Sequence, residues 1–311
     1  MKISRRQILG AVAASLTPRL RADVTRPKGY LVENSTHMFS DDPARFPFPP
    51  NATSHPGPQT IENFLRFAAE VRLDRAVIVQ SEVYQDDHRY LEYCFQHEPS
   101  PGFLKGTCLF DPIDPKTPSR IDNLVKRNPN RIVGIRIHEL RGVNDPPATT
   151  GAMRDRDVKS DGMRNTWRKM HDLGLLVQMQ MIPAHAPGIG ALAADFRDMP
   201  VLIDHLCFPD RGTAAEYEEV IKLSKLPRVY MKVSNLTEKD KPVVKRLYEA
   251  YGPDRLIWGM YGTRFSPDSA ISYYENALKL IDYVFDYAPE QEKQKIRGLN
   301  AMKLFKFPLA G

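Results

Sequence analysis

The chain has 311 residues, of which 42% are apolar and 26% charged, the make-up of a globular protein with room for a large core. Its formal charge of +6 falls to +1 once residues 1–22 are set aside, because Lys2, Arg5, Arg6, Arg19 and Arg21 stand there with no acid among them. The bulk of the chain is therefore no basic nucleic-acid-binding domain, and three scattered cysteines make neither a disulfide framework nor a cysteine-rich zinc site.

The N-terminus reads as an address. Ser4-Arg5-Arg6-Gln7-Ile8-Leu9 is a twin-arginine pattern, followed by an apolar run over 8–16 and a small-residue cleavage position near Ala22. That run is too short to span a bilayer. We therefore expect a leader over 1–22, a single domain over 23–311, a periplasmic or exported location, and no stable membrane anchor after cleavage.

From there the chain alternates. Apolar runs of strand length occupy 30–37, 75–80, 104–110, 132–138, 175–181, 201–205, 229–233 and 256–259. Segments of helical period lie between them. The first carries Ile61, Phe64, Leu65, Ala68 and Val71 on one face, and the others fall at 89–96, 121–125, 163–173, 189–196, 215–223, 243–251 and 271–287. Eight strand-then-helix units predict an α/β fold of the (β/α)8 TIM barrel type, with 289–307 as an extra C-terminal helix. A doubly wound open sheet is the second choice; it uses fewer units, and no glycine-rich phosphate turn follows the first strand. Cys94 falls in a helix and Cys108 in a strand, both expected as buried thiols. Two long connections, 40–60 and 141–161, follow strands and so belong on the face where barrel enzymes build their sites.

Polar residues gather at the strand ends: Ser35 and His37, Gln80 with Glu82 and Tyr84, Arg136 and His138, Gln178 and Gln180, Asp204 and His205, Lys232, and Tyr261. Strand alternation puts Gly134, Arg136 and His138 on one face. A guanidinium inside a barrel requires an anion, either a protein carboxylate or one on a substrate, and the sequence leaves both open.

These segments resemble the amidohydrolase-related family. The resemblance rests on Arg45-Phe46-Pro47-Phe48, Asp74-Arg75-Ala76-Val77-Ile78-Val79-Gln80, Phe110-Asp111-Pro112, Val133-Gly134-Ile135-Arg136, Asp204-His205-Leu206, Lys232-Val233-Ser234 and Gly252-Pro253-Asp254-Arg255-Leu256-Ile257-Trp258-Gly259. It is strongest toward the branch of small-lactone hydrolases, such as pyrone dicarboxylate lactonase, some of which work without metal. The family implies a His-x-His pair on strand one, a His on strand five, a His on strand six and an Asp after strand eight, which hold a divalent metal where one is bound and activate water. Here Ser35 stands for the first His, Gln180 for the strand-five His and Tyr261 for the Asp.

What the resemblance then implies is a hydrolase for a small lactone or related carbonyl compound, with no tightly bound metal. His205 or His37 would be the acid or base, and Tyr261 a donor to a developing oxyanion. Arg136 and Tyr84 would hold a substrate carboxylate, Ser35, His138 and Gln180 would line the pocket, and Glu82 is a reserve carboxylate. Other readings stay open: an isomerase or decarboxylase on the same scaffold, an exported binding protein without catalysis, and a weak zinc site at His37 and His205 joined by His138 or His185.

Overall fold

The computed structural model describes residues 24, 26–52, 54–146, 157–260 and 267–309. The proposed leader over 1–22 and Tyr261 lie outside the described residues, as does the middle of the second long connection.

Eight parallel strands form one sheet in chain order: β1 (Val32–Thr36), β2 (Arg75–Val79), β3 (Leu104–Cys108), β4 (Ile132–Glu139), β5 (Leu176–Met181), β6 (Val201–Ile203), β7 (Val229–Val233) and β8 (Leu256–Trp258). Between them run α1 (Ile61–Glu70), α2 (Arg89–Gln96), α3 (Thr117–Arg127), α4 (Asp161–Asp172), α5 (Ala186–Asp195), α6 (Ala214–Lys222) and α7 (Lys241–Tyr251), and α8 (Pro267–Val284) follows β8. This is the expected (β/α)8 barrel. Helix starts follow ordinary chemistry: Thr60 caps α1 and Ser160 caps α4 through their hydroxyls, while Thr213 and Glu216 close a reciprocal capping box on α6.

Both faces of every strand are covered, which explains runs that are apolar throughout and not alternating. Outward residues such as Ile78, Ile135, Val177, Ile203 and Met231 pack under the helices. Inward residues Val32, Val77, Leu176, Leu202 and Ile257 form a separate apolar floor with Met302, Phe305 and Phe307. The C-terminal segment is therefore a plug for the bottom of the barrel. It is the expected extra helix, continuous over 290–304, in which α9 (Glu290–Gln294) passes through a π-helical turn at Lys295–Leu299 into α10 (Asn300–Leu304). Lys105 secures its end from inside the barrel, with Nζ donating to the carbonyls of Phe305 at 2.9 Å and Lys306 at 2.7 Å.

The seam between β8 and β1 is bridged by side chains. Asn34 Nδ2 donates to the Trp258 carbonyl at 2.6 Å, and the Met260 N–H donates to Glu33 Oε2 at 3.1 Å. Gly259 allows this approach, because a Cβ there would stand 2.3 Å from Ser35 Oγ. The other Glu33 oxygen takes the Ser35 N–H at 2.6 Å. Burial pushes the Glu33 carboxyl up; its two backbone donors and Lys232 oppose that.

The connection after β1 is packed over the barrel mouth. Phe39 and Gln59 pair antiparallel, the Gln59 side chain donates to the His37 carbonyl, and rings of Phe46 and Phe48 stand 4.9 Å from Tyr90 and Tyr84 respectively.

One substitution checks the plug. A Cβ on Gly298 would lie 2.0 Å from the Tyr30 carbonyl oxygen, a backbone atom that cannot rotate away, whereas a Cβ on Gly57 meets nothing within 4 Å. Gly298→Ala should therefore cost about 3 kcal/mol or more in urea unfolding, and Gly57→Ala about 0.5 kcal/mol or less. Equal midpoints for the two variants would contradict the packing of the C-terminal turn against Tyr30.

Candidate functional site

Four strands meet at one carboxylate. Asp204, just past β6, is fully buried. Arg136 Nε reaches its Oδ2 at 3.1 Å from β4, Lys232 Nζ its Oδ1 at 3.1 Å from β7, and Gln178 Nε2 both oxygens at 2.9 Å from β5. Lys232 donates also to the Asn34 carbonyl at 2.8 Å, tying in β1. Burial alone would raise the Asp204 pKa; Lys232, Arg136 and Gln178 outweigh it and hold the carboxyl well below the usual range. The anion that Arg136 requires is thus a protein carboxylate. Only Nε is committed, and among the described residues the two Nη groups have no protein partner.

The chain then leaves the strand conformation. The sequence suggested a strand through 205; β6 stops at Ile203, and His205, Leu206, Cys207 and Phe208 have φ of 51, 55, 58 and 46°. Four consecutive non-glycine residues in the left-handed region cost roughly 1–2 kcal/mol each. Their surroundings hold them there. Cys207 and Phe208 N–H close the turn on Asp204 and His205 carbonyls at 2.9 Å, and Tyr217 Oη donates to the Leu206 carbonyl at 2.8 Å. The turn aims the His205 ring so that Nδ1 lies 2.8 Å from Ser234 Oγ.

His37 and His138 share the same surroundings. His37 Nδ1 donates to the Val79 carbonyl at 2.8 Å, leaving Nε2 as the acceptor nitrogen. The β1 ladder slips by one residue between Glu33 and Thr36, which re-aims the strand end that bears His37. His138 is buried two residues beyond Arg136 and opposite Gln180 across the β4–β5 ladder. Burial first, then the Arg136 charge, lowers His37 to about 3 and His138 well below its ordinary value. Burial lowers His205 to about 4, with Arg136 and Lys232 adding to it and Asp204 opposing. Three uncharged imidazoles therefore surround one guanidinium.

A family model described as Amidohydrolase matches residues 34–307. The chain belongs to the amidohydrolase family. No curated protein matches the sequence. Among solved structures it is similar to a candidate 2-pyrone-4,6-dicarboxylic acid hydrolase of Pseudomonas putida (18% identity, 90% of this chain and 99% of that one, TM-score 0.68). It is also similar to a candidate hydrolase of the same kind from Acinetobacter baumannii with citric acid bound (21%, 89% and 99%, 0.68). A third is a dihydroxybenzoic acid decarboxylase of Polaromonas with manganese and 2-nitroresorcinol bound (14%, 91% and 98%, 0.60). At these identities the likeness is one of fold.

The other expected residues of this amidohydrolase scatter in role. Tyr84 is buried with its hydroxyl accepting the Ser40 N–H at 2.9 Å, so it braces the loop over the mouth. Gln80 does similar work, donating to the carbonyls of Gln85 and Asp87 at 3.1 and 2.8 Å. Glu82 begins a tight turn, Glu82–Tyr84. Ser35 sits at the β8–β1 seam against Gly259, and Gln180 is half-buried beside His138. His185 is held by the Arg141 carbonyl at 2.7 Å. Cys94, Cys108 and Cys207 are buried free thiols, each pushed up by burial. Asn34, Glu33 and Ser234 escaped the sequence reading; Ser234 could have been found, since it lies two residues past Lys232 on the same strand face.

The described residues do not fit a divalent metal. No group of three or more His, Cys, Asp or Glu side chains among them is placed to hold one. The carboxylate at the centre already spends both oxygens on two cations and an amide, and those cations would repel a third.

Two measurements follow from this electrostatic arrangement. Asp204→Asn leaves Arg136 and Lys232 buried without their anion and should cost about 3–5 kcal/mol of stability in urea unfolding. The pH dependence has a definite sign. His37, His138 and His205 have folded pKa values below the ordinary 6.5, so the unfolded chain binds more protons below that pH. Their contribution is present above about 6.5 and lost as pH falls toward 4, at about 1.4 kcal/mol per pH unit for each proton taken up on unfolding. Glu33, raised in the folded state, works against part of this loss. Unfolding midpoints that stay level from pH 7 to 4.5 would refute the buried, uncharged state of the three rings.

Proposed function

We propose that this amidohydrolase-family protein is an exported enzyme that hydrolyses a small lactone or related carbonyl compound bearing a carboxylate, without a tightly held metal. The observation that carries the reading is the set of three neutral imidazoles around Arg136, whose Nη groups have no protein partner among the described residues. A guanidinium with a free fork is suited to a carboxylate. Family membership supports an enzyme, and the citric acid found in one structural relative is consistent with a carboxylate ligand.

In this reading the substrate carboxylate docks on Arg136. His205 Nδ1 lies 2.8 Å from Ser234 Oγ; in the tautomer that donates Nδ1–H to this hydroxyl, Nε2 carries the lone pair of a general base. It takes a proton from water as the new C–O bond forms at the lactone carbonyl. The ring C–O bond then breaks, and the proton passes to the departing alkoxide. His37, with Nε2 also unprotonated, is the second candidate for this transfer. Tyr261 would donate to the oxyanion; its side chain lies outside the described residues. The twin-arginine pattern supports export, and N-terminal sequencing of secreted protein tests it.

A panel of small lactones with and without a carboxylate, run with chelator, tests the enzyme. His205→Ala should lower kcat by about 100-fold or more, as loss of a general base does. Arg136→Lys should raise KM for carboxylated substrates far more than for neutral ones. Turnover that needs added zinc or manganese would overturn the metal-free reading. Activity only toward dihydroxybenzoates, with carbon dioxide released, would move the protein to decarboxylation. Binding without turnover would make it a binding protein.

A further inference from the structure

His138 has an unusual deficit. Its side chain is 5% exposed, and neither ring nitrogen has a hydrogen-bond partner among the described residues. A buried polar atom left without a partner costs about 1–3 kcal/mol, and here one side chain carries two. The position accounts for where the ring faces. Gly134, Arg136 and His138 alternate onto the inner face of β4, and a Cβ on Gly134 would strike the inward Leu176. The ring interacts electrostatically with Arg136, Asp204, His37 and His205, so it looks into the same mouth.

Resting on the reading of Arg136 as a carboxylate clamp, we propose that His138 is a specificity-determining residue that binds a hydroxyl group on the ligand, so that the preferred ligand is a hydroxylated monocarboxylate and not a dicarboxylate. A neutral imidazole offers one N–H donor and one lone pair, and a hydroxyl offers the complementary pair. A second carboxylate would use only the N–H and would press its charge on the other nitrogen's lone pair. Cation supply agrees. Of the fully buried cations at this end of the barrel, Lys232 is spent on Asp204 and Asn34, whereas Arg136, committed at Nε, keeps its two Nη groups among the described residues for one carboxylate. Residues two apart on one strand face stand about 6.6 Å apart, which a single six-membered ring can span between its carboxylate and its hydroxyl.

The test uses benzoate, its three monohydroxy isomers and phthalate as probes, titrated into histidine-15N-labelled full chain, its His138→Leu variant and its Arg136→Lys variant. At least one hydroxybenzoate should bind the parent about tenfold tighter than benzoate and shift the ring nitrogens of His138, while phthalate gains nothing. In His138→Leu the ratio of hydroxybenzoate to benzoate affinity should shrink to within about twofold, whereas Arg136→Lys should weaken every probe, the hydroxyl preference remaining. If the Leu variant does not fold, the ring-nitrogen shifts of the parent decide. A hydroxyl preference that survives in His138→Leu, or ring nitrogens that ignore the hydroxyl, would overturn the proposal and assign the ring to ordered water. No binding of any probe to the parent, or benzoate binding indifferent to Arg136→Lys, would instead remove the clamp reading on which it rests.

Discussion

Everything at the mouth of this barrel depends on neutralising Asp204. An ionised carboxylate with no exposure is costly to bury unless it is paired and hydrogen-bonded. Here it is met from three sides by Arg136, Lys232 and Gln178. Those partners come from β4, β7 and β5, and Lys232 reaches on to β1, so one charge fixes the relative heights of five strand ends. Removal of any member leaves a charge or an amide without its match, which makes the arrangement all-or-none. It also allots the cations: Lys232 belongs to the scaffold, while Arg136 is anchored at Nε and keeps its outer face.

The left-handed turn follows directly from that anchor. Asp204 has extended backbone angles and accepts the Cys207 N–H on its carbonyl, so the strained segment starts from a fixed residue. Roughly 4–8 kcal/mol of unfavourable backbone conformation over four residues would relax into another path if its surroundings allowed it. Tyr217 from α6 and the Cys207 thiol, which reaches the Met181 carbonyl at 3.4 Å, close those paths. A regular strand through 205 would turn the ring to the other face. The strain is therefore the local condition for the contact between His205 and Ser234.

Periodicity made the eight units legible, because apolar strands and amphipathic helices differ in their repeat whatever their neighbours do. The polar strand ends were legible for a related reason: a charged residue closing an apolar run stands out. What each one touches was not. Arg136 could be read as a guanidinium in need of an anion, but its match with Asp204 spans 68 positions and depends on strand heights that composition does not encode. Tyr84 looked like a ligand-binding phenol and instead braces Ser40, because the loop after β1 folds back over it. His205 looked like the last residue of a strand. The reversal there is made without glycine, and a positive φ forced on Leu, Cys and Phe by tertiary contacts leaves no mark in the sequence. The β8–β1 seam was hidden similarly, since nothing in the sequence marks Glu33 and Asn34 as partners of Met260 and Trp258, more than 220 positions away.

The same electrostatics bears on how such a site could be switched on. In the free protein His37 is lowered to about 3 by burial and by Arg136, and His205 to about 4 by burial with Arg136 contributing, values at which an imidazole is a feeble base. On the proposed reading, a carboxylate docking on the outer fork of Arg136 cancels the second of the causes acting on His37 and part of those acting on His205. Both rings then move back toward the neutral range, where proton transfer is most effective. A neutral analogue would fill the same space without that effect. Selection for a carboxylate would thus operate on catalysis as well as on affinity, and the residue that binds the substrate's charge would also set the strength of the base.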